Sequence, residues 1–184
     1  MGNLFRAMVP IALIPFLVFH QSFLVAGEEA GKALIAKTCN QTEYPEECTS
    51  ALESDARSLS ANLTGLGRIA VEQSASKLNQ TLSYVDSLVN NATDYATWAS
   101  LVVCQYSYNA SANQIQQGLQ AFDQLKYDKT YQSVAAVNQA VIECNNQGLG
   151  ILTQVDTALF RLTKDAMMIV DLLYYANSSF IFSL

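Results

Sequence analysis

Ten residues, Cys39-Asn-Gln-Thr-Glu-Tyr-Pro-Glu-Glu-Cys48, restrict the possible folds of this chain more than any other stretch. They read as a tight turn closed by a disulfide. Pro45 lacks an N–H and has a fixed φ, so it cannot continue an incoming helix but starts a new one well. Cys48 then falls in the first turn of that helix, and the two cysteines join one helix end to the next helix start. With Cys104 and Cys144 the chain has four cysteines. Four cysteines permit three pairings, and spacing alone does not decide among them.

The compartment follows from the first residues. Ala7 to Phe19 is an apolar run behind Arg6, and His20-Gln-Ser leads to Phe23-Leu-Val-Ala-Gly27, with small residues before Glu28. This layout predicts a signal peptide over residues 1–27, cut near Ala26 or Gly27. The competing reading is an uncleaved anchor, but Pro10, Pro15 and His20 interrupt a run shorter than the roughly 20 apolar residues a span requires. Export agrees with six Asn-x-Ser/Thr sequons, at Asn40, Asn62, Asn79, Asn91, Asn109 and Asn177, which predict a glycoprotein with some of these sites occupied. It also makes disulfides the default state of the cysteines. Ten Lys and Arg stand against sixteen Asp and Glu, and the leader holds Arg6 and no acid, so the mature part has nine against sixteen, a net charge of −7. Such a chain is not expected to bind nucleic acid. Its acidity favours solubility and a basic protein partner, attracted over a long range that salt shortens.

With 184 residues the chain supports one domain with a real core. Glu28 to Thr38 and Pro45 to about Glu53 read as two short helices, giving an amino-terminal hairpin over residues 28–57. Ser54 to Ser60 is a polar connection. Val71, Ala75, Leu78, Leu82, Val85 and Val89 then advance in alternating steps of four and three, which keeps one apolar stripe on one helix face. Asn90 to Asp94 supplies turn and cap chemistry. A second long helix, about Asp94 to Leu125, carries Trp98, Leu101, Gln105, Tyr108, Ala112, Ile115, Leu119 and Phe122. After a break at Lys126 to Lys129, a third carries Val134, Val137, Val141 and Cys144 and ends at Gly148-Leu-Gly150. The last has Leu152, Val155, Leu159, Leu162, Ala166, Ile169 and Leu173 on its stripe, with Asp156, Arg161, Lys164, Asp165 and Asp171 off it. The prediction is an all-α fold: an antiparallel up-down-up-down four-helix bundle over residues 58–184, preceded by the stapled hairpin. Cys104 and Cys144 fall on the second and third long helices, on or beside their inward stripes. Pairing Cys39 with Cys48 and Cys104 with Cys144 is therefore the favoured arrangement.

Catalytic chemistry is sparse. The one histidine, His20, lies in the predicted leader, which removes Ser-His-Asp and Cys-His catalysis and the Glu-x-x-His ligands of di-metal bundles. Paired cysteines leave no thiolate as nucleophile or metal ligand. Glu28/Glu29 and Glu46/Glu47 are adjacent acids that point apart on a helix, and no glycine-rich phosphate loop occurs. The expectation is a protein that acts by binding, with no enzyme activity, cofactor or metal. Tyr106, Tyr108, Tyr127, Tyr131, Tyr174 and Tyr175 are contact candidates. Tyr108 and Tyr131 fit the inward stripes; Tyr106 and Tyr127 fit them less well.

The spacings Cys39-x2-Thr42-x-Tyr44-Pro45-x2-Cys48, Ala51-Leu-Glu-Ser-Asp-Ala-Arg57, Leu63-x2-Leu66 and Cys104-x3-Tyr108, with Cys144 about forty residues on, together resemble the plant invertase and pectin methylesterase inhibitors across nearly the whole mature chain. The resemblance implies a four-helix bundle with an amino-terminal hairpin and one disulfide in each part. It also implies a one-to-one complex that blocks the active-site cleft of a secreted carbohydrate-modifying enzyme in the apoplast or cell wall. Members that inhibit pectin methylesterase present acids and a threonine on the second and third bundle helices. The matching places here hold Tyr106, Ala110, Asn113, Glu143 and Asn146, so nearly all of that pattern is missing, and Asn109 puts a sequon on the same helix. Invertase inhibitors often show Pro-Lys-Phe between those helices and a Glu before the last cysteine; this chain has Leu125-Lys126-Tyr127 and Glu143. The resemblance therefore leans slightly to invertase, with Lys126 offering its ammonium to active-site carboxylates and Tyr127 filling a sugar subsite. The candidate target-binding residues are Lys126, Tyr127, Tyr106, Asn113, Glu143 and Asn146. The alternative is a secreted interaction protein of the same fold without inhibitory activity.

Overall fold

The computed structural model describes residues 28–181, with side chains through Asn177; the predicted signal peptide, residues 1–27, lies outside the described residues. Helix α1 (residues 28–39) turns through the cysteine loop into α2 (Pro45–Glu53), and a 3-10 turn (Ala56–Ser60) leads to the long helices. These are α3 (Leu63–Asn91), α4 (Tyr95–Asp123), α5 (Tyr127–Asn145) and, after a second 3-10 turn (Gly150–Leu152), α6 (Thr153–Ile181).

Pro45 opens α2 as its backbone chemistry requires, and the Cys39–Cys48 disulfide closes the loop with Cα atoms 5.5 Å apart. The Thr42 hydroxyl donates to the Cys39 carbonyl at 2.9 Å inside that loop. α1 crosses the 3-10 turn so closely that a Cβ on Gly31 would lie 2.0 Å from the Leu59 carbonyl oxygen, an approach open only to glycine.

The four long helices close into a ring. α3 packs on α4 and α6, and α5 packs on α4 and α6. Three-residue connections, residues 92–94 and 124–126, force consecutive helices to run antiparallel. Two of these helices are capped by side chains: Asn62 accepts from the Gly65 N–H at 2.9 Å and Asp94 from the Thr97 N–H at 2.9 Å, each satisfying a donor that the first turn leaves free. The core takes Leu66, Val71, Leu78 and Val85 from α3, Leu101, Tyr108, Ile115 and Phe122 from α4, Val134, Val137 and Val141 from α5, and Leu159, Ala166, Ile169 and Leu173 from α6.

Four side chains depart from the expected stripes. Trp98 and Tyr131 are exposed. Trp98 sits in the first turn of α4 and meets the Tyr95 ring at 5.7 Å instead of entering the core. Asp156 and Asp165 are 1% and 2% exposed although the stripe excludes them. α6 packs against α2, α3 and α5 together, so its buried arc is wider than an apolar stripe facing two neighbours. Both carboxylates have found donors. Tyr108 Oη donates to Asp156 Oδ1 at 2.6 Å, and the Tyr44 N–H donates to Asp165 Oδ1 at 2.9 Å. Burial pushes both carboxyls above the usual range, Asp165 to about 6. Around Asp165, Arg161 pairs with Glu47 and Lys164 approaches Glu43 at 3.9 Å. These contacts dock the hairpin onto α6.

Candidate target-binding face

α4 and α5 form the most tightly joined helix pair of the bundle. At one end the Cys104–Cys144 disulfide holds their Cα atoms 4.7 Å apart. Toward the other, a Cβ on Gly118 would lie 2.6 Å from Ser133 Cβ, and the Thr130 hydroxyl donates to the Gly118 carbonyl at 3.0 Å. With both ends fixed, the outer face of the pair is a rigid surface. A groove along it is lined by Gln114, Gln117, Ala121, Lys129, Gln132, Ser133 and Ala136: three amides and one ammonium, without a carboxylate.

Near the disulfide, Tyr106 is 77% exposed. Glu143 is also exposed, and its carboxylate accepts the Ser107 hydroxyl across the helix pair at 2.8 Å. Asn146 caps α5 one turn further on, exposed. Asn113, also exposed, lies about 10 Å along α4 from Tyr106 on the same face. Glu143 and Asn146 stand at the Cys144 end of α5, whereas Tyr106 and Asn113 lie about 180–200° round α4 from Cys104, on its outward side. Lys126 does not join them, because it precedes the first residue of α5 and so stands on the order of 25 Å from the Cys144 end.

The connection carrying Lys126 has a defined geometry. The Lys126 N–H bonds back to the Ala121 carbonyl and the Leu125 N–H to the Phe122 carbonyl, both at 2.9 Å. This is a Schellman closure, in which the residue after the cap turns left-handed and is usually glycine. Here it is Leu125, with φ +58°, exposed to 58%. A left-handed leucine costs about 1 kcal/mol or more, so the loop holds an apolar side chain outward against its own preference. Nothing in the sequence around Leu125 signals this, since the usual glycine is absent. Lys126 is exposed beside it and donates to Gln124 Oε1 at 2.6 Å.

Tyr127 requires a correction. Expected to fill a sugar subsite, it is only 5% exposed, because the first turn of α5 directs its ring into the core edge. There it meets Phe122 edge-on, centroids 5.3 Å apart at 72°. The apolar side chain presented next to Lys126 in the chain is Leu125. The sequons Asn40, Asn62, Asn79, Asn91, Asn109 and Asn177 are all exposed. No helix among the described residues is long and apolar enough to cross a membrane.

Known proteins resemble this chain in sequence and in fold. A pectinesterase inhibitor of Actinidia deliciosa is 34% identical over 92 residues, half of each chain. An Arabidopsis thaliana protein described as cell wall / vacuolar inhibitor of fructosidase 2 is 29% identical over 135 residues, 73% of this chain and 75% of that one. Two Arabidopsis crystal structures share the fold at 16% identity: a mutant form of a pectin methylesterase inhibitor, with TM-score 0.65 over 72% of this chain and 92% of that one, and a pectin methylesterase inhibitor, with TM-score 0.58 over 76% and 95%. The family model for plant invertase/pectin methylesterase inhibitors matches residues 33–168, and the chain belongs to that family.

Proposed function

We propose that this protein is a secreted inhibitor that binds an extracellular plant carbohydrate-modifying enzyme one-to-one and occludes its active-site cleft, with an invertase favoured over a pectin methylesterase. The observation that carries the reading is the Leu125-Lys126 tip, where the backbone that presents an outward apolar side chain and an ammonium is fixed before any partner arrives. A surface already ordered loses little conformational entropy on docking. Glycoside hydrolases work through paired carboxylates, and an ammonium inserted between them is held by charge while the tip excludes substrate. The places that match the acids and threonine of the family's pectin methylesterase inhibitors hold Tyr106, Ala110, Asn113, Glu143 and Asn146, with Glu143 the one acid among them, and this favours the same target by contrast.

The test is inhibition of a cell-wall invertase and of a pectin methylesterase at acidic pH by the glycosylated, disulfide-intact protein and by Lys126→Ala. Wild type is expected to inhibit the invertase, and Lys126→Ala to weaken that at least about tenfold, a loss of about 1.4 kcal/mol. Full inhibition by Lys126→Ala overturns the tip as the contact. The near-absence of that acid pattern also favours a second reading, a non-inhibitory interaction protein of the same fold, and a wild type that inhibits neither enzyme supports it.

A further inference from the structure

Two of the six sequons have a tyrosine three residues upstream on their own helix: Tyr106-Ser-Tyr-Asn109 on α4 and Tyr174-Tyr-Ala-Asn177 on α6. Helical side chains three apart are neighbours, with Cβ atoms about 5–6 Å apart. Each also leans toward the turn before its own Cα, so whatever Asn109 carries rises over Tyr106. The two sites differ in what the tyrosine already does. Tyr174 is engaged edge-on with Tyr175 at 5.6 Å. Tyr106 is 77% exposed, with no hydrogen bond or ring contact among the described residues. A large aromatic ring held in water on a rigid helix, one turn from an exposed sequon asparagine, offers an apolar face to whatever that asparagine carries.

We propose that Asn109 carries an N-glycan whose first N-acetylglucosamine lies with its C–H face on the Tyr106 ring. The C–H bonds on one face of a pyranose carry slight positive charge, and the aromatic face is negative; contact also removes apolar ring surface from water. The sequon is compatible with the fold. Asn109 points out, and Ser111, two residues and about 200° further round the helix, is 2% exposed with its hydroxyl donating to the Tyr108 carbonyl at 3.0 Å. Sugar is transferred to the nascent chain, so burial of Ser111 in the finished fold does not oppose it. Tyr106, Asn109, Asn113 and Gln117 share one face of α4 by helical period, and a sugar chain anchored there covers that outward face. A partner must then avoid the face of α4 that carries Asn109. The assignment requires no particular enzyme target.

The test uses protein secreted from a eukaryotic host. Glycopeptide mass spectrometry reads occupancy at Asn109. Nitration of tyrosines, mapped by peptide, reads the contact, with Tyr95, 80% exposed at the start of the same helix, as internal reference. Wild type is compared with Asn109→Gln and with Ser111→Ala, which removes the sequon but keeps the asparagine. The expectation is sugar on Asn109 and Tyr106 nitrated several-fold more slowly in wild type than in either variant, with Tyr95 unchanged. Trimming the wild-type glycan to its first sugar should leave Tyr106 protected. A bare Asn109, equal Tyr106 nitration in all three proteins, or loss of protection on trimming overturns the proposal.

Discussion

Asp165 has its charged form buried at the junction of hairpin and bundle, and this fixes the sign of a pH dependence. An aspartate ordinarily titrates near about 3.9, whereas burial pushes this one up to about 6, with Glu47 and Glu43 adding repulsion. Between those values the folded protein holds a proton that the unfolded chain has lost. The stabilisation is therefore fully present below about 4 and lost as pH rises through about 6. Asp156, also raised by burial, has the same sign. Asp165→Asn should flatten the stability profile over that window and raise stability at neutral pH by about 2 kcal/mol. The amide oxygen can still accept from Tyr44, and its nitrogen meets the gap that Gln73 Oε1, a buried acceptor without a partner, also lines. Urea unfolding across pH checks this; a variant with the wild-type slope would remove Asp165 as the cause. Tyr108→Phe probes the other carboxylate, since it leaves Asp156 Oδ1 without the donor now at 2.6 Å. An unpaired buried acceptor costs about 1–3 kcal/mol, and the loss should be smaller at acid pH, where Asp156 takes up a proton.

At the scale of elements, the α4–α5 pair depends on a missing side chain. Helix propensity alone would make Gly118→Ala stabilising by about 1 kcal/mol. A methyl there meets Ser133 Cβ at 2.6 Å, and Ser133 cannot withdraw because its Cβ is fixed to α5. The expected result is a net loss of about 1–3 kcal/mol from overpacking, read by urea denaturation and largely restored in the double variant with Ser133→Gly. The sequence showed the long helices through their stripes, the start of α2 through Pro45, and the cap at Asp94 through its side-chain chemistry, because each of these is a local signal. Asp156 and Asp165 were unreadable because their burial depends on α6 having three neighbours, a fact no stripe on α6 encodes. Tyr127 and Leu125 failed for a related reason. Rotation of the first turn of α5 and the left-handed closure before it decide which side chain faces out, and that rotation is set by packing on Phe122. The candidate site was thus legible as a loop and a lysine, but not as to which apolar residue stands beside it.

For the whole molecule, the two disulfides act on different scales. Cys39–Cys48 closes nine residues and Cys104–Cys144 closes forty. In the chain-entropy description a crosslink stabilises by restricting the unfolded chain, by about 2.5 kcal/mol for the short loop and about 4 kcal/mol for the long one. Placement sharpens the contrast. The long loop ties two bundle helices whose faces form the shared core, so replacing Cys104 and Cys144 by alanine should lower the stability of the entire bundle. The short loop shapes the hairpin, which reaches the bundle through Tyr44, Glu47 and the Asp165 carboxylate and through Ile35 and Leu52 in the shared core. Replacing Cys39 and Cys48 should release the hairpin at low denaturant while the bundle unfolds later. Guanidinium unfolding followed by helical circular dichroism should then give one transition at lower denaturant for the first variant and two transitions for the second. A single cooperative transition in the second variant would mean that hairpin and bundle fold as one unit, held together by the Asp165 junction and the buried Ile35 and Leu52 without need of the staple.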